Sequence, residues 1–217
     1  MPVLKTAPLS RFLRLLTAFA GDQVFNPWTE LDIGTDLDQS AVSARRRRLQ
    51  LHLAIDARLL LIGEAAGYQG CHVTGIPFTS ERLIMAGKIP RVSSDGLRLS
   101  RRRIPWSEPS ATTIWSSLHE FGIAPQTILW NAFPWHPHRA GCLQSNRTPK
   151  PAERALGLAV LEALLEAFPR ASVGAVGRHA AKSLADCGRT AFALRHPSMG
   201  GVTAFRRGLR RFITNIL

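Results

Sequence analysis

Cysteine, acidic residues and long apolar runs are all scarce in this sequence. The three cysteines, Cys71, Cys142 and Cys187, form no C-x-x-C pair. An odd and scattered set of this kind argues against a disulfide framework and fits a reducing compartment. No apolar run approaches the ~20 residues that a bilayer-spanning helix needs. We therefore expect neither a membrane-spanning helix nor a membrane partner.

Basic residues far outnumber acidic ones. The chain of 217 residues has 15 Asp and Glu against 28 Lys and Arg, which gives a formal net charge of +13 and a pI near 11.3. Its hydrophobic fraction of 45% is ordinary for a folded domain. A folded and strongly basic protein indicates a polyanionic partner, nucleic acid before membrane.

The length fits one core with an N-terminal extension. We expect a single domain over residues 1–217, in which residues 1–56 form a helical extension packed on the rest. The first segment contains Lys5, Arg11 and Arg14 but no acid before Asp22, a pattern shared with transit peptides. Apolar residues at helical spacing in the same segment favour a short buried helix, which is our interpretation.

Short apolar runs alternate with amphipathic segments along the chain. The runs predict strands, and the segments predict helices bounded by proline, glycine or capping residues. Alternation of this kind is typical of an α/β fold with a mostly parallel sheet covered on both faces. The four predicted strands cover 59–62, 127–130, 172–176 and 190–194. The predicted helices cover about 10–20, 40–55, 109–121, 151–168, 178–187 and 203–216, and one further helix is predicted to begin after Thr79 or Ser80 as its cap.

Two arginine-rich stretches stand out. Arg45 to Arg48 fall in the second predicted helix and are interpreted as a solvated helix face, with phosphate contact as the alternative. Between Lys88 and Pro109 the chain is basic with little helical period, and a hairpin is predicted around Asp95-Gly96. We interpret this stretch, which is most basic over residues 91–103, as an insertion.

A polar residue follows each of three predicted strands. Glu64 lies in a turn of small residues after the first, Asn131 follows the second, and His196 follows the last. The carboxyl ends of parallel strands share one edge of the sheet, which is where open α/β sheets bind ligands. Glycines in the turn, Gly63 and Gly67, would let a ligand approach the main chain closely. We therefore expect the three polar residues to lie in one pocket.

Together with the nearby Phe78, these side chains suit a nucleobase. The Asn131 carboxamide can pair with the O4 and N3–H edge of uracil, whereas cytosine presents the reversed pattern. An aromatic ring supplies a stacking face worth ~1–3 kcal/mol per base. His196 can donate to an oxygen on which negative charge develops. Glu64 can orient a water or stabilise positive charge on a sugar.

The motifs around these residues resemble those of a known family. GEAAG followed by GIPF, then NAFP with NRTP, then HPS after the last strand are similar in kind and order to the motifs of the uracil-DNA glycosylase superfamily. The similarity is greatest to the branch with a GEAPG first motif, and it covers residues 59–205. It implies a three-layer α/β/α sandwich that removes uracil from DNA by flipping the nucleotide into a pocket.

The resemblance also implies a role for each pocket residue. Glu64 would lie by the attacking water, Phe78 would stack on the base, and His196 would stabilise the departing uracil anion at O2. Asn131 would read the uracil edge. The remaining substrate-binding positions are Gly63, Ala65 and Gly67.

Further residues are assigned to DNA. Ser198 would contact a phosphate near the lesion, and Met199 would act as a wedge in the gap left by the flipped base. Arg147 either grips DNA or braces its loop against Glu153, and the sequence leaves both open. Arg206 and Arg207, on the basic outer face of the last predicted helix, are also expected to bind DNA.

The chain departs from the family pattern in its first motif and in its cysteines. Ala66 replaces the usual proline, and Tyr68 and Gln69 stand where acids often follow. Three scattered cysteines cannot supply the four thiolates of the iron-sulfur cluster found in that branch, so no cofactor is expected. His136 and His138 form an H-x-H pair without a third ligand, so no metal site is expected.

These inferences predict a monomeric DNA repair glycosylase that hydrolyses the N-glycosidic bond of deoxyuridine in uracil-containing DNA, in the bacterial cytoplasm or nucleoid. Two alternatives stay open. One is a superfamily member that binds DNA but is inactive or weakly active, which the altered first motif permits. The other is a glycosylase for other deaminated bases such as hypoxanthine or xanthine.

Overall fold

The computed structural model describes residues 7–92 and 98–216. No helix within these ranges is long and apolar enough to cross a bilayer. In chain order the helices are α1 (Ala7–Ala18), α2 (Ser40–Leu53), α3 (Cys71–Thr74), α4 (Glu81–Met85), α5 (Pro109–Glu120), α6 (Pro151–Ala167), α7 (Arg178–Asp186) and α8 (Val202–Ile216). The strands are β1 (Val24–Phe25), β2 (Leu59–Ala65), β3 (Thr127–Phe133), β4 (His136–Pro137), β5 (Ser172–Val176) and β6 (Phe192–Leu194).

Four strands form a parallel sheet in the order β3-β2-β5-β6, which confirms the predicted sheet. Strands β1 and β4 form a separate antiparallel pair that the sequence did not predict. The predicted first and second strands were too short, because β2 continues to Ala65 and β3 to Phe133. Gly63 and Asn131 are direct partners across these two strands. Glu64 and Asn131 therefore lie within strands and not in the loops that follow them.

Side chains of the sheet alternate between two cores, one on each face. Leu60 and Ile62 of β2 face a core shared with α1, α2, α6 and α7. Leu59 and Leu61 face a second core shared with α5 and α8. Successive strand residues point to opposite faces, so a continuous apolar run is needed to fill both cores. This layering is the three-layer α/β/α sandwich, and it leaves the carboxyl edge of the sheet free for a site.

The N-terminal segment packs on the sandwich through α1. This helix contacts α6, and the Phe12 ring lies edge-on to Trp130 of β3 with centroids 5.0 Å apart. Asn26 closes the turn after α1 by donating to the carbonyls of Leu16 and Phe19 at 2.9 and 3.0 Å. These contacts agree with a buried N-terminal helix, while the predicted single-domain organisation stays a prediction.

The arginine run on α2 is not the solvated face that was expected. Arg45 is fully buried and its guanidinium pairs with Asp36 at 2.6 Å. Arg48 is also buried, whereas Arg46 and Arg47 are exposed. A buried charge is tolerated only when it is paired and hydrogen-bonded. The expectation was wrong for the two buried arginines, because helical spacing turns positions three residues apart inward together.

One buried carboxylate holds the basic insertion in place. Glu81 is 1% exposed, and it accepts hydrogen bonds from the backbone N–H groups of Ser100 and Trp106 at 2.9 and 3.3 Å. Arg91 donates to carbonyls at the end of α2, so part of the positive charge of the insertion is structural. The predicted hairpin around Asp95-Gly96 lies outside the described residues.

Candidate active site

A cavity of about 1290 Å³ opens at the carboxyl edge of the parallel sheet. The expected meeting of polar residues there is found for Glu64 and His196, which line the cavity together with Phe78. Gly63 and Asn131 are not on the cavity wall, and Arg206 and Arg207 lie on α8. The predicted site residues on the wall are Glu64, Ala65, Gly67, Phe78, Arg147, His196, Ser198 and Met199.

Gly63, Phe78 and Asn131 converge at one point behind the wall. A Cβ atom on residue 63 would lie 2.6 Å from Phe78 Cε2 and 2.7 Å from Asn131 Oδ1, so only glycine fits there. Asn131 is 2% exposed, and its carboxamide forms no hydrogen bond with any residue in the described ranges. An unpaired buried amide costs about 1–3 kcal/mol. A ligand that offers both a donor and an acceptor would remove this cost.

The tautomer of His196 is fixed by Ser198. The Ser198 backbone N–H donates to His196 Nδ1 at 3.1 Å, and Ser198 Oγ lies 2.7 Å from the same atom. A backbone N–H can only donate, so Nδ1 is unprotonated and the ring proton lies on Nε2. Burial and the charge of Arg195 lower the pKa of His196 and favour the neutral ring. The ring centroid of this neutral donor is 6.3 Å from that of Phe78.

Glu64 has one buried oxygen that is free to accept a hydrogen bond. Its Oε1 has no hydrogen-bond partner among the residues that the structure describes. Nδ1 of His179, on α7, lies 3.9 Å from this oxygen. Buried polar atoms are nearly always hydrogen-bonded in folded proteins. Glu64 is therefore placed to accept a hydrogen bond from a ligand or a water in the cavity.

The loop after β6 holds an apolar side chain out in solvent. Met199 and Gly200 both have left-handed backbone conformations, with φ of +51° and +74°. A Cβ atom on Gly201 would overlap the His196 carbonyl, so that position has room only for glycine. Met199 is 91% exposed and lines the cavity. The side chain of Met199 is therefore accessible at the mouth of the cavity.

Arg147 is fully engaged in contacts within the protein. Two of its nitrogens contact the two carboxylate oxygens of Glu153, each at 2.7 Å. It also donates to the carbonyls of His138 and Gln23 at 2.9 and 3.0 Å. The hydrogen bonds between Arg147 and Glu153 lower the pKa of the carboxyl and raise that of the guanidinium. These contacts favour the bracing role, and a DNA contact by Arg147 stays a prediction.

The outer face of α8 carries exposed arginines. Arg206 and Arg210 lie 3.7 and 3.8 Å from the carboxylate of Glu120 on α5. Arg207 forms no hydrogen bond or ion pair with a residue of the described chain. Exposed ion pairs contribute only about 0–1 kcal/mol, so all three side chains remain available to an anionic partner. Their assignment to DNA stays a prediction.

Two cavity residues were not predicted from the sequence. Asn146 Oδ1 accepts a hydrogen bond from the Tyr68 N–H at 3.0 Å, which ties the NRTP loop to the first motif. Glu108 lines the cavity from the start of α5, and burial raises its pKa to about 7. The NRTP motif could have indicated Asn146. A Glu-Pro pair at a helix start indicates only the helix, so no signal in the sequence pointed to Glu108.

The H-x-H pair takes part in a buried hydrogen-bond chain. His136 Nδ1 lies 2.8 Å from His72 Nδ1, and His72 Nε2 lies 2.9 Å from Asp32. Burial lowers the pKa of His136 to about 3. Within residues 7–92 and 98–216, no group of three or more His, Cys, Asp or Glu side chains is arranged to hold a metal ion. The three cysteines are free thiols and too few for a four-thiolate cluster.

The fold is that of an α/β protein with a cavity at the carboxyl edge of a parallel sheet. An acid, an aromatic ring and a neutral histidine donor line the cavity there. An unpaired carboxamide lies behind its wall. A family model described as the Uracil DNA glycosylase superfamily matches residues 52–212. The chain belongs to this superfamily. It is therefore a DNA glycosylase-type hydrolase of DNA repair, and its partner is DNA.

A solved structure supports the fold assignment. The crystal structure of SMUG2 from Pedobacter heparinus is similar to this chain with a TM-score of 0.62, and the match covers 95% of each chain at 17% sequence identity. Identity at this level shows a shared fold only. No curated protein sequence matches this chain.

Proposed function

We propose that the protein is a monomeric uracil-DNA glycosylase, which hydrolyses the N-glycosidic bond of deoxyuridine after the nucleotide flips into the cavity. The observation that carries the proposal is the neutral His196, whose single ring proton is fixed on Nε2 beside Phe78. A donor fixed before the reaction stabilises the negative charge that develops on a departing base. One such donor lowers the rate-limiting barrier by roughly 2.7–4 kcal/mol.

The residues beside His196, four on the cavity wall and Asn131 behind it, have complementary roles in this proposal. Phe78 stacks on uracil, and the unpaired carboxamide of Asn131 pairs with O4 and N3–H. Glu64 accepts a hydrogen bond from the attacking water and stabilises positive charge on the sugar. The water oxygen bonds to C1′ as the C1′–N1 bond breaks, the electron pair leaves with uracil, and the water gives one proton to Glu64. Ala65 and Gly67 keep this part of the wall free of large side chains.

Contacts to DNA follow from the charge and exposure of the surface. Ser198 contacts a phosphate, Met199 fills the gap left by the flipped base, and Arg206 and Arg207 bind the backbone. The net charge of +13 supports a strong electrostatic contribution to binding. A DNA substrate and three free thiols support the bacterial cytoplasm or nucleoid as the site of action.

The proposal is tested by release of uracil from end-labelled oligonucleotides that carry one deoxyuridine, single-stranded or opposite guanine or adenine, followed by alkaline cleavage of the abasic strand. The parent protein is compared with Asn131→Ala, and with Asn215→Ala, which changes an exposed asparagine on α8. We expect cleavage by the parent and by Asn215→Ala, and a fall of roughly tenfold or more in Asn131→Ala. Tight binding without cleavage would instead support the DNA-binding alternative.

A further inference from the structure

Asp32, His72 and His136 form a buried hydrogen-bond chain that lies outside the cavity lining. His72 Nε2 lies 2.9 Å from Asp32 Oδ2, and His72 Nδ1 lies 2.8 Å from His136 Nδ1. His136 Nε2 lies 2.8 Å from the carbonyl oxygen of Ser145. The three side chains are at most 5% exposed, so these contacts are shielded from solvent. Each contact therefore needs one proton between its two heavy atoms.

The two ends of the hydrogen-bond chain determine where two of the protons lie. A carbonyl oxygen only accepts, so the proton between His136 and Ser145 lies on His136 Nε2. Burial opposes the ionisation of Asp32, but hydrogen bonds with His72 and Thr35 lower its pKa to about 2. A carboxylate also only accepts, so the proton at this end lies on His72 Nε2. In two neutral rings, both Nδ1 atoms would then be unprotonated.

Two unprotonated Nδ1 atoms 2.8 Å apart would repel, because each presents a lone pair to the other. Moving the His72 proton from Nε2 to Nδ1 does not help, since it places a lone pair against the carboxylate of Asp32. One further proton between the rings replaces the repulsion by a hydrogen bond and makes one ring an imidazolium. Its positive charge compensates the buried carboxylate, which two neutral rings would leave without a countercharge.

The surroundings of the two rings indicate which one carries the charge. Burial lowers the pKa of His136 to about 3, so this ring stays neutral and accepts through Nδ1. Burial also lowers the pKa of His72, and the contact with Asp32 opposes this effect. Arg45 and Asp36 act on His72 in opposite senses and form an ion pair, so their charges largely cancel. The remaining charged group that acts on the two rings is His138.

The hydrogen-bond chain joins two parts of the cavity wall. The backbone N–H of His72 donates to the carbonyl of Gly67 at 3.2 Å, and Gly67 lines the cavity in the first motif. At the other end, His136 binds the carbonyl of Ser145, the residue before Asn146, which lines the cavity in the NRTP loop. Asn146 in turn accepts a hydrogen bond from the first motif. The spacing of these two parts therefore depends on the contact between the histidines.

We propose that His72 is a buried imidazolium at neutral pH, paired with Asp32 and donating to His136, and that this hydrogen-bond chain holds the NRTP loop against the first motif. His72 and His136 are positioning residues, because they act on the cavity through Gly67 and Asn146. The protonation of His72 does not depend on the reaction. An effect on base release rests on the proposed function.

The protonation of His72 is tested by NMR of protein labelled with ¹⁵N in its histidine rings, at pH 7. The ring of His72 is identified by its contact with Phe25, on which it stacks with centroids 4.0 Å apart. We expect both nitrogens of His72 to be protonated in the parent, and only Nε2 of His136. In Asp32→Asn the amide donates to His72 Nε2, so every contact is complete with neutral rings, and His72 should carry a proton on Nδ1 alone.

The positioning role is tested by hydrogen exchange of the Tyr68 amide, which donates to Asn146. His136→Leu removes both contacts of the ring, and we expect the Tyr68 amide to exchange several-fold faster than in the parent. Asp32→Asn should exchange like the parent, as should His119→Leu, which changes an exposed histidine on α5. Single-turnover release of uracil should fall roughly tenfold or more in His136→Leu, because a displaced wall misplaces the base.

The outcomes separate this proposal from the proposed function. A parent protein whose His72 has a proton on one ring nitrogen only overturns the imidazolium. Parental exchange of the Tyr68 amide in a folded His136→Leu variant overturns the positioning role. Both readouts are independent of base release, so a parent that releases no uracil overturns only the proposed function. If His136→Leu does not fold, the protonation of His72 in the parent and in Asp32→Asn decides the proposal.

Discussion

The Ser198 backbone N–H donates to His196 Nδ1, an atom only two residues earlier in the same loop. This contact sets both the tautomer and the orientation of the ring. The donor is a main-chain group, and the Ser198 hydroxyl lies 2.7 Å from the same nitrogen. The loop can place the backbone N–H there because Met199 and Gly200 turn through left-handed conformations and Gly201 passes close to the His196 carbonyl.

Ser198→Ala should separate the two roles of this serine. The variant keeps the backbone N–H that fixes His196 and loses only the hydroxyl. We expect the single-turnover rate of uracil release at saturating protein to stay near that of the parent. DNA affinity should fall by roughly tenfold, since one hydrogen bond to a charged phosphate contributes about 1.5 kcal/mol. A large loss of rate with unchanged affinity would show that the hydroxyl, and not the main chain, orients the histidine.

Met199→Ala should impair activity on duplex DNA more than on single strands. A flipped base leaves a gap only in a stacked duplex, and an exposed apolar side chain beside the cavity is placed to fill it. Met199→Gly should lose the same activity yet be more stable than Met199→Ala by roughly 1 kcal/mol, because φ is +51° at this position. Met85→Ala, which alters an exposed methionine on α4, serves as the control. Equal losses on both DNA forms would argue against a wedge.

Arg147→Ala and Arg207→Ala should differ in what they change. Arg147 and Glu153 are 16% and 14% exposed, so removal of the guanidinium leaves a largely buried carboxylate with the Lys150 N–H as its remaining partner. We expect a loss of roughly 2–3 kcal/mol in the free energy of unfolding and no change in the salt dependence of DNA binding. Arg207→Ala should leave stability unchanged and reduce the slope of log affinity against log salt by about one. A reduced slope in Arg147→Ala would show that Arg147 binds phosphate.

Acid should destabilise the protein through His52. This residue is fully buried, its Nε2 accepts the Leu129 N–H at 3.0 Å, and burial lowers its pKa from 6.5 to about 3. Below about pH 6.5 the unfolded chain binds a proton that the folded chain does not. Stability is therefore complete above that pH and falls towards pH 3, by up to about 1.4 kcal/mol per pH unit from this histidine.

Urea unfolding at several pH values compares the parent with His52→Gln and with His119→Gln, an exposed histidine on α5. Glutamine keeps an acceptor for the Leu129 N–H and does not titrate. The acid-induced loss should be shallower in His52→Gln than in the parent, and unchanged in His119→Gln. If the free energy of unfolding falls equally with pH in all three proteins, the assignment of this loss to His52 is contradicted.

The order of helices and strands could be predicted because it depends on local periodicity. The extent of β2 and β3 could not, since Gly63 and Asn131 look like turn residues in sequence and are paired strand residues in the structure. The burial of Arg45 could not be predicted from the sequence either. Its burial depends on Asp36, a partner contributed by another segment, and a run of like charges gives no sign of such a partner.

The site was partly predictable for a related reason. Glu64 and His196 could be brought together because parallel strands end at one edge. The tautomer of His196 can be assigned only when the position of the Ser198 N–H is known. The position of Glu108 can be assigned only when the packing of the start of α5 against Gly70 is known. Neither relationship produces a periodicity or a motif that can be recognised in the sequence.

The most direct test of the account is the single-turnover rate of uracil release from a duplex by the parent and by His196→Ala, with DNA affinity measured in parallel. The account predicts that the parent releases uracil and that His196→Ala binds the duplex equally well but releases uracil roughly 10²–10³-fold more slowly. Release by His196→Ala at the parent rate, or binding without release by the parent, would contradict it.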